Sequence, residues 1–243
     1  MTPFRPVADG YAAYWEEVER AVLAQVAREV AEFLRAQAGL PARGATAHDV
    51  GPETDGSTHG MLDALDPAVQ STGVPRVPDD PAARRLLPDA SRDDDAVAAE
   101  FRHLTQTDLA AAKVRGLERF AVVVGEGASG DDPAGPGAGD DAGDDAGDAA
   151  VVLVTRPDAR DVAAALTDIR LVLAQRLDLT TDDEVEALHD ELLGGDFDDD
   201  TAQDVASRRY WGGVFVAAGF AQESLVSAML DDYREHRGAN DRG

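Results

Sequence analysis

The sequence predicts a mainly α-helical protein: one helical, bundle-like domain over residues 1–243, with a small β-hairpin or sheet at its amino end. Three observations carry this. Two long stretches, Glu16–Gln37 and Asp158–Leu177, repeat apolar residues at helical spacing. Much of the 44% hydrophobic content is alanine and only 5% is aromatic, which favours helix over sheet. Between them, Asp80–Lys113 holds the densest run of helix start and stop signals.

Phe4–Tyr14 reads as two short extended segments around an Asp9-Gly10 turn, a hairpin signal. In the first helix Val18, Val22, Val26, Val30 and Phe33 form an apolar stripe, widened by Leu23 and Leu34. Gly39 stops it before Pro41. Residues 40–79 are a loop-rich insertion, with a helical turn or two at Met61–Leu65.

Pro81 suits the first turn of a short helix, where its missing N–H costs nothing, and Pro88 ends that helix. Asp93 or Asp94 caps the next, whose Val97, Phe101 and Leu104 share a face. Thr105, with Asp108 three residues on, offers a cap for a third helix toward Phe120. Residues 119–125 stay open between helix and strand, because Phe120–Val124 is rich in β-branched residues.

Residues 126–149 are a Gly/Asp-rich acidic insertion that cannot bury apolar surface against chain entropy, so disorder is expected. Its deletion should leave helical circular dichroism nearly unchanged. Val151–Val154 reads as a strand that can join the hairpin. In Asp158–Leu177 the apolar face is Val162, Leu166, Ile169, Leu173 and Leu177. Asp168, Arg170 and Arg176 cannot all share that face, and are candidates for structural ion pairs with another helix. Thr181–Glu184 is a capping box opening a helix toward Leu193. A last helix spans about Arg209–Tyr233, and residues 237–243 should fray.

Composition excludes several chemistries. With no cysteine there is no disulfide, thiolate catalysis or cysteine metal site. The formal net charge of −26 disfavours direct DNA binding and anionic membrane surfaces. Adaptation to high salt is a competing source of that acidity. No apolar run is read as a membrane span and no signal peptide is seen, so a cytoplasmic protein is expected.

The motifs point away from a reaction. Gly125–Gly130 fits G-x-G-x-x-G, but Asp131-Asp132-Pro133 follows where a phosphate-holding helix should begin. Asp196, Asp198, Asp200 and Asp204 take calcium-loop positions, yet Thr201 stands for the turn glycine and Ser207 for the bidentate glutamate. The histidines at 48, 59, 103, 189 and 236 show no compact ligand spacing; His103 is the one placed nearest the core. Gly56–Gly60 is no nucleophile elbow. No catalytic, cofactor or metal residues are assigned. Arg84, Arg85, Arg92, Arg102, Lys113 and Arg115 form the most cationic stretch, a candidate partner-binding patch set against plain intrabundle ion pairing.

Three stretches carry a resemblance to a known family. Asp80–Lys113 is similar to a DPA…RLLPDAY…AAEFRR pattern. Leu166–Leu173 with Arg176-Leu177 is similar to ALNDLRLALGTRLG, and Tyr210–Leu225 to YDWLGWLQESLV. The patterns are those of an actinobacterial family of unknown function, also called the actinomycete oxidative-stress regulator (AosR-like) family. Departures fall at Ser91, at Ala174-Gln175 and in the glycine-rich third stretch.

The resemblance implies a non-enzymatic transcription regulator of the oxidative-stress response that partners a sigma factor of RNA polymerase. The alternative it implies is an accessory to the Clp protease adaptor machinery. The family's redox switch is associated with a cysteine pair that this chain lacks, so thiol sensing is excluded here. No cofactor is implied, and the oligomeric state is left open.

Overall fold

The computed structural model describes residues 1–41, 43, 78–88, 94–126, 150–194 and 203–240. Among them are seven α-helices and one three-stranded antiparallel sheet, ordered β1(Arg5–Val7), β2(Gly10–Trp15), β3(Ala150–Thr155). The chain is mainly helical, with the expected small sheet. Met61–Leu65, Gly56–Gly60, His48 and His59 lie outside the described residues, as do the calcium-like loop from Asp196 to Thr201 and nearly all of the Gly/Asp-rich insertion.

The helices are α1(Glu17–Ala38), α2(Pro81–Leu86), α3(Asp95–Phe101), α4(Thr107–Gly125), α5(Ala159–Arg176), α6(Asp182–Gly194) and α7(Gln203–Asn240), with one π turn over Arg102–Gln106. They fall into two compact units, one of Met1–Val30 with Arg115–Gly243, the other of Ala31–Val114.

The first unit holds the sheet. Strand β2 alternates by twos, with Tyr11, Ala13 and Trp15 buried and Tyr14 exposed. Its register sets Tyr11 against Val154 and Ala13 against Val152, so the buried sides of both strands coincide. Gly10 makes the hairpin possible. Its φ is 153°, and a Cβ there would run into the Val154 carbonyl oxygen. Trp15 is fully buried, edge-on to Phe4 at 5.3 Å, and its Nε1 donates to the Thr2 carbonyl at 3.2 Å.

In α5 the predicted residues Val162, Leu166, Ile169 and Leu173 are buried, as is Leu177 just beyond. The helix packs along α7, whose Val214, Phe215, Ala218, Ala221, Leu225 and Ala228 form its buried face. Gly219 faces α5, where a Cβ would stand 3.5 Å from Arg170 Nε. Helix α7 has 38 residues, about 57 Å at 1.5 Å per residue, longer than the Arg209–Tyr233 expected and still helical at Asn240. Over Val205–Arg237 it is long and apolar enough to cross a membrane, which the sequence reading did not anticipate. Alanine, glycine and valine raise its mean hydropathy without forming an unbroken run. Only 33% of its most apolar window is buried.

Helix α6 opens on the predicted capping box. Glu184 Oε2 accepts from Thr180 N at 2.6 Å and Thr181 N at 2.8 Å, and Glu184 N donates to Thr181 Oγ1 at 3.3 Å. These bonds pull the Glu184 carboxyl down to about 2, the Thr180 backbone N–H being the main cause. Only Leu188 of this helix is buried.

In the second unit, Pro81 stands at the start of α2 and Asp80 Oδ1 caps it by accepting from Ala82 N at 2.7 Å. Asp94 caps α3; its Oδ1 accepts from Ala96 N at 3.0 Å and Val97 N at 3.1 Å. Gly39, at φ 67°, closes α1 as expected.

Residues 119–125, left open between helix and strand, are helical, the end of α4, because Phe120, Ala121 and Val124 bury one helical face. Other expectations are corrected. Thr105 does not cap a helix: the chain passes from α3 to α4 through the π turn, and Thr105 Oγ1 donates back to the Phe101 carbonyl at 2.9 Å. The shared face of Val97, Phe101 and Leu104 is exposed rather than packed, at 52%, 41% and 65%. In α1 the predicted Leu23, Val26, Val30 and Leu34 are buried, joined by Ala24, Ala27 and Ala31, while Val18 is exposed.

Candidate functional site

The long helix α7 builds the candidate site. Its buried face leaves a second apolar side uncovered, where Phe220, Val226, Leu230 and Tyr233 are 41%, 39%, 48% and 62% exposed. Val216 and Met229 continue the same side at helical spacing. A groove opens at each end of this stripe.

The first groove, of about 600 Å³, lies between α5, α6 and α7. Val185 and His189 of α6 form one wall, Phe220 and Val226 of α7 the other, and Arg170, Phe215 and Gln222 the base. Leu188 sets the spacing of the walls. A Cβ on Gly212 would stand 2.8 Å from Leu188 Cδ1, so glycine is what lets α6 seat this closely. At the base a polar chain joins α5 to α7. Arg170 donates to Gln222 Oε1 at 2.7 Å, Gln222 Nε2 donates to Thr167 Oγ1 at 2.6 Å, and Thr167 donates to the Ala163 carbonyl at 3.0 Å. The guanidinium also lies 5.4 Å from the centre of the Phe215 ring.

The second groove, of about 560 Å³, ends in a clamp that ties the sheet to α7. Arg156, in the turn after β3, grips Asp232 with two parallel bonds, Nε to Oδ2 and a terminal nitrogen to Oδ1, both at 3.0 Å. The same guanidinium donates to the Ala8 carbonyl at 2.6 Å and the Val7 carbonyl at 3.2 Å, fixing the β1–β2 turn. Tyr11 donates its hydroxyl to Asp232 Oδ2 at 3.1 Å. Hydrogen bonding from Arg156 holds the Asp232 carboxyl below its ordinary value. Burial, with the bond to Asp232, pushes the Tyr11 hydroxyl up. His236 turns its Nδ1 to the Asp232 carbonyl at 2.7 Å, one helical turn back. Every nitrogen of Arg156 is engaged, so this cluster is a brace rather than a waiting anion site.

The residues singled out from sequence are not gathered into one site. Arg84 and Arg85 are exposed on α2, and Arg84 reaches the Pro78 carbonyl at 3.5 Å. Lys113 is half-buried near the end of its unit, and Arg115 belongs to the other unit. Arg92 and the side chains of Arg102 and His103 lie outside the described residues. Arg119 pairs with Asp158 at 2.8 Å. Of the three ion-pair candidates, Asp168 is buried, Arg176 ends α5, and Arg170 bonds the Gln222 amide and the Phe215 ring rather than a carboxylate.

Tyr11, Arg156 and Asp232 were missed from sequence. They lie up to 221 residues apart, and Arg156-Pro157-Asp158 looks like an ordinary turn. The G-x-G-x-x-G stretch begins at Gly125, the last residue of α4, and its residues from Gly127 lie outside the described residues. Among the described residues, no three histidine, aspartate or glutamate side chains gather as a metal site.

A family described as a domain of unknown function (DUF2017) matches residues 1–229. No curated protein and no solved structure matches the chain.

Proposed function

The chain belongs to the DUF2017 family, and from that premise we propose that it is a non-enzymatic regulatory protein that acts by gripping another protein along α7. One observation carries this reading: the uncovered apolar stripe of Phe220, Val226, Leu230 and Tyr233, continuous with two grooves. Apolar surface held out of a packed core along one helix is a mark of an interaction site. A rigid helix also limits the entropy lost on docking.

The resemblance to the actinomycete oxidative-stress regulators names the partner class: a sigma factor within RNA polymerase. Binding here is constitutive, because a chain without cysteine has no thiol to oxidise.

The test is photocrosslinking from positions 220 and 226 in a native lysate, followed by mass spectrometry. Sigma factor or polymerase subunits are expected. Clp components would transfer the reading to the proteolytic alternative. The double variant Val226→Glu, Leu230→Glu should lose the crosslinked partner with unchanged helical circular dichroism. Undiminished capture by that variant would refute the stripe as the binding face.

A further inference from the structure

Resting on that reading of α7, we propose that the groove between α6 and α7 is a specificity pocket for a carboxylate-bearing side chain of the partner, presented beside apolar anchors on an amphipathic helix, with Arg170 as its counter-ion.

The argument starts from a charge without a mate. Arg170 makes one hydrogen bond, to the neutral Gln222 amide, and one ring contact, to Phe215. Its Nε is buried with no acceptor. No carboxylate among the described residues lies within ion-pair distance of it. A partly desolvated guanidinium is costly until a matching anion arrives, and carboxylate fits its planar fork. In a chain of net charge −26, an arginine left unpaired at the base of a groove is out of keeping with its surroundings.

The groove's shape agrees. Gly219 stands directly over Arg170; a Cβ there would be 3.5 Å from Nε. Any larger side chain at 219 would lie across the guanidinium. The walls, Val185, Phe220 and Val226, are apolar and belong to two helices, the arrangement that receives the apolar face of a third helix. Glu223 also lines the groove and is exposed, so it penalises a purely acidic occupant. A mixed surface, one acid among apolar residues, fits both charges. A second copy of the chain is disfavoured by its own negative charge.

The probe is hexanoate, a carboxylate on an apolar stem, with hexylammonium as the opposite-charge control, followed by the Arg170 Nε–Hε cross-peak in nitrogen-15 NMR. Hexanoate should shift that peak saturably and hexylammonium should leave it in place. Arg170→Met removes that peak, so its hexanoate binding is read from the Phe215 and Gly219 backbone amides, and should weaken roughly tenfold or more, the worth of a charge-assisted hydrogen bond. Should that variant fold poorly, Gly219→Leu covers the guanidinium while adding helix propensity, and should abolish the shift without lowering the melting temperature. Equal response to both probes, or an unshifted peak, overturns the pocket and leaves the α7 stripe untouched. Loss of partner capture in Val226→Glu, Leu230→Glu with full capture in Arg170→Met would likewise sink the pocket and keep the stripe.

Discussion

Replacing Leu188 by alanine should release α6 from the protein without unfolding the rest. Leu188 is the one buried residue of α6, fully enclosed against Gly212. The change deletes three carbons, about 2.4 kcal/mol at about 0.8 kcal/mol per buried methylene. An uncollapsed cavity would raise that toward about 5 kcal/mol. Because so little else of α6 is buried, the helix can swing away before the full cavity penalty is felt. The remaining ties are its capping box and Arg208, which reaches Glu191 at 3.3 Å and the Leu177 carbonyl at 3.0 Å. Hydrogen–deuterium exchange is the assay. Amides of α6 should exchange about thirtyfold faster or more, from about 2 kcal/mol at about 1.4 kcal/mol per decade, while α5 and α7 keep their protection. A loss of the same size felt by the whole chain would lower the Tm by roughly 5–10 °C, so a nearly unchanged Tm marks the opening as local. The groove would also lose its Val185 and His189 wall, and partner capture should fall in parallel. Unaltered exchange in α6, or equal acceleration in α5, would show that Leu188 is not what seats this helix.

Three further outcomes are expected. Gly10→Ala should destabilise the protein by about 2–4 kcal/mol in urea unfolding, since it combines a disfavoured φ with a collision against the Val154 carbonyl; an unchanged midpoint would remove the hairpin argument. The Glu184 carboxyl titrates at about 2 in the fold, below its ordinary 4.5, so its contribution is complete above about pH 4.5 and is lost as pH falls toward about 2. Asp158 and Asp232 shift in the same direction, and Glu184→Gln should flatten the α6 share of this acid transition, as residue-resolved exchange at pH 3 and pH 6 can record. Arg156→Met leaves two turn carbonyls and Asp232 without their guanidinium donor, while Asp232 keeps the Tyr11 hydroxyl, and should lower the Tm more than Tyr11→Phe does; the reverse order would argue against a brace centred on Arg156.

Much of the fold is written in local signals. The helix start at Pro81, the caps at Asp94 and Thr181, the stop at Gly39, the Asp9-Gly10 turn and the apolar face of α5 each depend on residues within about one or two helical turns, so neighbouring positions suffice to find them. On α1 the alanines Ala24, Ala27 and Ala31, too small to stand out in a periodicity, pack beside the predicted Val26 and Val30. The strand-like run Phe120–Val124 became helix because burial on one helical face outweighs β-propensity.

The site was less legible. The cationic residues from Arg84 to Arg115 stood out by density, yet charge density along a chain does not say which charges converge. The groove and clamp depend on pairs such as Arg170 with Gln222, 52 residues apart, and Tyr11 with Asp232, 221 apart. By itself the sequence determined the helices, the small sheet and the absence of thiol chemistry, because those follow from local propensity and composition. Only tertiary structure decided which side of α7 is covered by α5 and which is left uncovered, because that choice is made by helix packing between segments distant in the chain.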